Sequence, residues 1–304
     1  MKKIFFLMML LGLAGCGENN DSMSPSTQNV SVQKTALTRS ANLNNTNQVC
    51  SYNFDATQED FDQFYDKYPM LLKDRMFPTV NGQNFEFVIN QALANKELSQ
   101  YIGASKGYFK MAQGMADNNK DYIKGDASVP LTGIISFEAK VKVNLKKVSD
   151  ILLGAGFEIY GHTIKNEKLA MAISYANSQL LSENISGPRG IVFSYVYMEM
   201  DKTDENNIIY DLLDLNDTSA EYQHVGFYIN QDSKKIGVII NGRDKGYLAK
   251  IPSEIDKLLF IAKGFSQVTA DFLGDTQSVE LITDRNALEF KYPEGTTDIC
   301  GNLI

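Results

Sequence analysis

From Thr132 onward, apolar and polar positions alternate. Ile135, Phe137, Ala139, Val141 and Val143 fall on one parity, and Ser136, Glu138, Lys140 and Lys142 on the other. A period of two is the repeat of a strand with one face buried and one solvated. Residues 168–175 and 191–200 read as further strands. The run Ile191-Val192-Phe193-Ser194-Tyr195-Val196-Tyr197-Met198 is apolar on both parities, which predicts a strand well inside a sheet. Residues 225–229 and 235–240 flank a short polar turn. Asn241-Gly242 supplies a second turn signal, because both residues tolerate positive φ. Residues 258–263, 279–283 and 287–291 are weaker strand candidates. Short strands and turns without helical crossovers predict a mainly β fold, an antiparallel β-sandwich over about 130–292.

Ahead of the strands lies a helical region, about residues 55–117. Phe61, Phe64, Tyr65 and Tyr68 follow the i, i+3, i+4, i+7 spacing of one helix face. Thr57 followed by Asp60 has the form of a capping box with Asp in place of Glu, and Pro69 ends or kinks the helix. Such an aromatic stripe belongs to a packed core before it belongs to a ligand platform. A second helical stretch is predicted over residues 91–117, interrupted near Gly103. Helices and sandwich together make one domain over 49–304.

The N-terminus has a different character. Lys2 and Lys3 precede an apolar run, Ile4 to Leu13, which is too short to cross a bilayer. Leu13-Ala14-Gly15-Cys16 resembles the bacterial lipobox. That resemblance implies that residues 1–15 are a signal peptide and that Cys16 becomes the lipidated first residue. Gly17 follows it, where Asp would imply retention in the inner membrane. The expectation is therefore a cell-envelope lipoprotein of the outer membrane in a Gram-negative host. Residues 17–48 are rich in Asn, Ser, Thr and Gln and hold no aromatic residue. Such a segment buries too little apolar surface to offset its ordering entropy. With Cys16 it forms a lipid-anchored linker over 16–48, with an r.m.s. reach of roughly 30 Å.

Charge narrows the partners. The net charge of −8 becomes −10 once Lys2 and Lys3 are removed. An acidic chain is a poor electrostatic match for nucleic acid or anionic headgroups. Three cysteines become two once Cys16 is acylated, leaving Cys50 and Cys300. Export leads to an oxidising compartment, so these two are expected to form a disulfide that joins the ends of the domain. Two unpaired thiols are the alternative.

The segment from His224 to Asn230, the polar turn, residues 235–240 and Asn241-Gly242-Arg243-Asp244-Lys245-Gly246 is similar to the late hairpin of concanavalin-A-like jelly rolls. That family includes laminin-G, SPRY and lectin/glucanase modules. The whole chain also resembles an uncharacterised family of Gram-negative lipoproteins. The resemblance implies a jelly-roll fold and says little about activity. Glucanase members carry Glu-x-Asp-x-x-Glu on one strand, so that alternate carboxylates reach the cleft. The nearest match here is Glu199-Met200-Asp201-Lys202-Thr203-Asp204, with Asp204 where the acid/base Glu belongs. Glu199, Asp201 and Asp204 are thus the catalytic candidates, set against a reading as the solvated end of a strand. The chain has no Trp, the residue that sugar clefts favour for stacking.

Other chemistry is sparse. His162 and His224 are the only histidines, so a His-based site needs them to converge. Asp211, Asp214, Asn216 and Asp217 could give oxygen ligands to Ca²⁺ but lack EF-hand order. Gly154-Ala155-Gly156 lacks the remaining glycine of a dinucleotide loop. No cofactor is expected. Anchor, linker and sandwich pattern point to a binding module for glycan, peptidoglycan or a protein partner. A jelly-roll glycan hydrolase or lyase, and a structural envelope lipoprotein without a small ligand, are the alternatives.

Overall fold

The computed structural model describes residues 49–68, 75–89, 99–117, 125–142, 152–178, 191–199, 208–212, 220–267 and 272–304. The candidate signal, Cys16 and the linker lie outside them. In chain order the elements begin with α1 (Gln58–Lys67), β1 (Arg75–Met76), β2 (Thr79–Asn81), β3 (Asn84–Val88) and β4 (Ser99–Ala104). Next come α2 (Lys106–Ala116), β5 (Ala127–Ser128), β6 (Ile134–Lys142), β7 (Leu152–Thr163) and β8 (Lys168–Ser178). Then follow β9 (Ile191–Glu199), β10 (Ile208–Leu212), β11 (Tyr222–Asn230), β12 (Lys235–Ile240) and β13 (Arg243–Lys250). The last strands are β14 (Ile255–Gln267), β15 (Thr276–Ile282) and β16 (Thr296–Asp298).

Two sheets result. The first has the order β1-β4-β14-β7-β8-β9-β10, with β5 along β14. The second has the order β13-β12-β11-β6-β15-β3-β2, with β16 along β6. Pairing is antiparallel except for β1 on β4 and β16 on β6. The expected mainly β, antiparallel sandwich is therefore present, with helices at its N-terminal end. Inward residues of both sheets, among them Phe137, Phe157, Phe227 and Phe260, form one core. A second cluster lies on the outer side of the first sheet. There Phe61, Phe64 and Tyr65 of α1 and Tyr108 and Phe109 of α2 pack on Ile102, Tyr160, Leu259 and Ile261. The aromatic stripe is core, as its spacing predicts. Thr57 and Asp60 exchange both hydrogen bonds of the capping box.

Three expectations need correction. Residues 99–104 form a strand, not part of a helix; α2 begins at Lys106, its first N–H held by Asp55 Oδ1 at 2.8 Å. A Cβ on Gly103 would lie 2.3 Å from the Phe85 ring, so this glycine admits a ring from the opposite sheet rather than breaking a helix. Residues 287–291 are not a strand but an irregular strap laid across β6 and β11. The polar parity of β6 is only partly solvated, since Ser136 and Glu138 are both fully buried.

Glu138 explains that last point. Its carboxylate accepts from the backbone N–H of Glu289 and Phe290, both at 2.9 Å, and from the Tyr292 hydroxyl at 3.1 Å. His224 Nε2 lies 2.6 Å from its other oxygen, a close polar contact rather than an aligned hydrogen bond. A Cβ on Gly226 would sit 2.6 Å from Phe290 and Tyr292, so the bare backbone of β11 lets the strap lie flat. Beyond the strap, β16 pairs with β6, and Cys300 is bonded to Cys50, 250 residues away, with Cα atoms 5.8 Å apart.

Replacing Glu138 with Ala orphans several buried donors at once, each costing about 1–3 kcal/mol. Denaturant unfolding is expected to show a loss of about 3 kcal/mol or more, with the strap newly open to protease; a loss under about 1 kcal/mol contradicts the anchoring role. For the disulfide, the chain-entropy relation puts the upper limit of stabilisation at about 5 kcal/mol. Reduction of the denatured protein is expected to release two further thiols and to lower the melting temperature; an unchanged thiol count excludes the bridge.

Candidate functional site

Helices cover the outer side of the first sheet around β4, β14, β7 and β8, and the strap crosses the outer side of the second at β6 and β11. An opening remains at the edge of the sandwich, where β9 and β10 face β12 and β13. This groove has a volume of about 520 Å³ and is lined by Tyr197, Glu199, Ile209, Lys235 and residues 247–250. That size lies within the roughly 300–1,000 Å³ of small-molecule sites.

Its first wall follows from strand periodicity. Tyr197 and Glu199 are two apart on β9 and share one face. Tyr197 pairs with Met171 on one side and Ile209 on the other, and Glu199 pairs with Leu169 at the end of the ladder. The strand thus carries its last inward residues past the apolar core to the rim. The second wall is the β12–β13 hairpin. Asn241 and Gly242 both have positive φ, the geometry of a tight hairpin turn, as their sequence predicts. Two register shifts interrupt this ladder, so the edge strand β13 is bulged beside the groove.

An aromatic pair sits on that hairpin. A Cβ on Gly237 would lie 2.0 Å from the Tyr228 ring, so the glycine in an otherwise apolar strand lets Tyr228 lie across β12. Tyr228 meets Tyr247 edge-on at 5.2 Å and donates to Asp244 Oδ1 at 2.9 Å. Tyr247 stays 42% exposed, with Lys235 Nζ 5.5 Å over its ring and its hydroxyl accepting from Asn230 Nδ2 at 3.2 Å.

Tyr197 is the unusual member. It is only 3% exposed, yet its hydroxyl has no hydrogen-bond partner among the described residues. Burial, with Glu199 and then Glu167 nearby, pushes its pKa well above the ordinary tyrosine value, so it remains a neutral donor. Tyr101 and Ser266 also have unpartnered hydroxyls, but neither is among the groove residues.

Of the residues singled out in the sequence, Glu199 reaches the groove. Asp201 and Asp204 lie outside the described residues, as do Asp214, Asn216 and Asp217; Asp211 is on β10. The histidines do not converge. His162 is on β7 of the first sheet, with Nδ1 2.7 Å from Asp256 and Nε2 3.0 Å from Asn166, and His224 is on β11 of the second, under the strap. Gly154 and Gly156 are interior residues of β7, not a phosphate loop. Tyr197, Lys235, Tyr247 and Lys250 were not legible as a site, because the groove forms where two sheets far apart in sequence meet. The glycine inside β12 was the one local hint of a ring packed across the strand.

In structure the chain is similar to porphyranase B from Zobellia galactanivorans, at 9% identity and a TM-score of 0.38, over 69% of this chain and 81% of that one. It is similar to the β-porphyranase of the human gut bacterium Bacteroides plebeius at 12% identity and a TM-score of 0.31, over 68% and 80%. A tetrameric galectin from the ball sponge Cinachyrella sp. matches at 9% identity and a TM-score of 0.30, over 53% of this chain and 96% of that one. No curated protein matches the sequence. The model of the domain of unknown function DUF4882 matches residues 27–302, and the chain belongs to that family.

Proposed function

We propose that this is a lipid-anchored envelope protein whose edge groove binds a saccharide. The observation that carries the reading is the open groove itself, walled by Tyr197, Glu199 and the exposed Tyr247, with the buried Tyr197 hydroxyl unpartnered among the described residues. Leaving such a group unsatisfied costs about 1–3 kcal/mol, a cost that a ligand bearing acceptors would remove. A saccharide supplies them as ring and hydroxyl oxygens. It also presents apolar C–H faces suited to the exposed Tyr247 ring. Glu199 can accept from sugar hydroxyls at the same rim. Among the described residues the groove holds one carboxylate, Glu199, whereas glycoside hydrolysis uses a spaced pair. Glu167, the other acid near Tyr197, already takes the Thr163 and Ser253 hydroxyls on Oε2 at 3.1 and 2.6 Å. Binding, rather than turnover, is the function this arrangement supports.

The anchor is the second half of the proposal. Acylation at Cys16 would hold the domain at the membrane, and residues 17–48 would let it stand off the surface. Cys16→Ser is expected to abolish incorporation of labelled fatty acid and to shift the protein out of the membrane fraction. Retention of label in that variant refutes the anchor.

Tyr197→Phe separates binding from folding. Because the hydroxyl has no partner among the described residues, the variant is expected to melt at the same temperature or higher. Binding of the full-length protein to the glycans it selects on an array should weaken roughly three- to tenfold. A lower melting temperature, unchanged binding, or no glycan bound by the parent protein each overturns the proposal.

A further inference from the structure

We infer that the groove's ligand is an anionic saccharide, recognised through Lys235 and Lys250; this rests on the groove being a saccharide site. The two lysines are direct cross-strand partners on the β12–β13 ladder. Like charges placed opposite each other on neighbouring strands are destabilising. Several other lysines sit in ion pairs. Lys140 pairs with Glu289 at 2.7 Å, Lys142 with Glu221 at 2.9 Å, Lys234 with Glu254 at 3.0 Å and Lys263 with Glu158 at 2.6 Å. Acidic residues are in excess, 37 against 29 Lys and Arg, so carboxylates are not scarce. Among the described residues, Lys235 and Lys250 nevertheless form no ion pair, and both line the groove.

The surroundings reinforce the sign. Residues 235–250 carry Lys235, Arg243, Lys245 and Lys250 against one acid, Asp244. Asp244 Oδ1 is already taken by the Tyr228 hydroxyl and by the Gly246 N–H at 2.7 Å. The hairpin is therefore a basic strip on an acidic protein. The two ammonium groups are donors that accept nothing. Two neighbouring ammonium groups suit carboxylate, sulfate or phosphate oxygens better than a neutral sugar, and charge-assisted bonds are the stronger kind. Lysines on an edge strand also discourage edge-to-edge pairing between molecules, and that role predicts no ligand at all.

The test uses the full-length protein in detergent micelles. It is titrated with polygalacturonate, with the same polymer after reduction of its carboxyls, and with dextran sulfate beside plain dextran. At least one acidic polymer is expected to bind tenfold or more tighter than its neutral counterpart, with added salt weakening only the acidic one. Which acidic polymer it is distinguishes carboxylate from sulfate. The K235Q/K250Q protein is expected to lose that preference while melting at an unchanged or higher temperature. Equal binding of acidic and neutral polymers, or an unaffected double variant, overturns the anionic reading and leaves the saccharide site standing. Binding of no polymer overturns both readings. Lysine-dependent binding to phosphatidylglycerol vesicles without polysaccharide binding also overturns the inference, by making the hairpin a membrane contact.

Discussion

A fully buried carboxylate on the middle strand of one sheet organises the second half of this molecule. Glu138 lies on the parity of β6 that would otherwise meet water. An isolated buried charge is too costly to persist, so it must collect donors. It does so from the backbone of the strap at residues 289–290 and from Tyr292. The bare backbone at Gly226 gives the strap room to approach. Once the strap lies down, β16 falls beside β6, and Cys300 reaches Cys50 at the start of the described chain. One charge thereby couples the C-terminus, the sheet and the N-terminal entry.

That closure has a consequence for access. With the strap on one outer face and two helices on much of the other, the open space described here is at the sandwich edge. Its lining differs in kind from the rest of the molecule. Elsewhere several lysines face carboxylates and several buried hydroxyls find partners. At the edge, two lysines share a rung without an acid, and a buried tyrosine keeps an unsatisfied hydroxyl. Departures of this kind from local optimisation concentrate at functional sites, where stability is given up for recognition.

The sandwich was legible in the chain because period two is a local property. Alternation over β6, the two runs of the β11–β12 hairpin and the Asn241-Gly242 turn were each readable within a few residues. So was α1, whose aromatic spacing and capping residues are local too. Two of the failures share one cause. Residues 99–104 pair as a strand with β14, where Gly103 admits Phe85 from the other sheet, and residues 287–291 are a strap whose N–H groups go to Glu138. Both outcomes depend on partners far away in sequence, which no local pattern encodes.

By itself, then, the sequence determined the fold class, the positions of most long strands and the first helix, and it made the pairing of Cys50 with Cys300 the expectation over two free thiols. It also placed Glu199 among the candidate residues. Only the tertiary structure decided what Glu199 stands beside. Tyr197, Lys235, Tyr247 and Lys250 come from strands in two different sheets, and they meet because sheet order and bulged register bring those edges together. Periodicity specifies which face of a strand is buried. It does not specify which strand edge, from elsewhere in the chain, that face will meet.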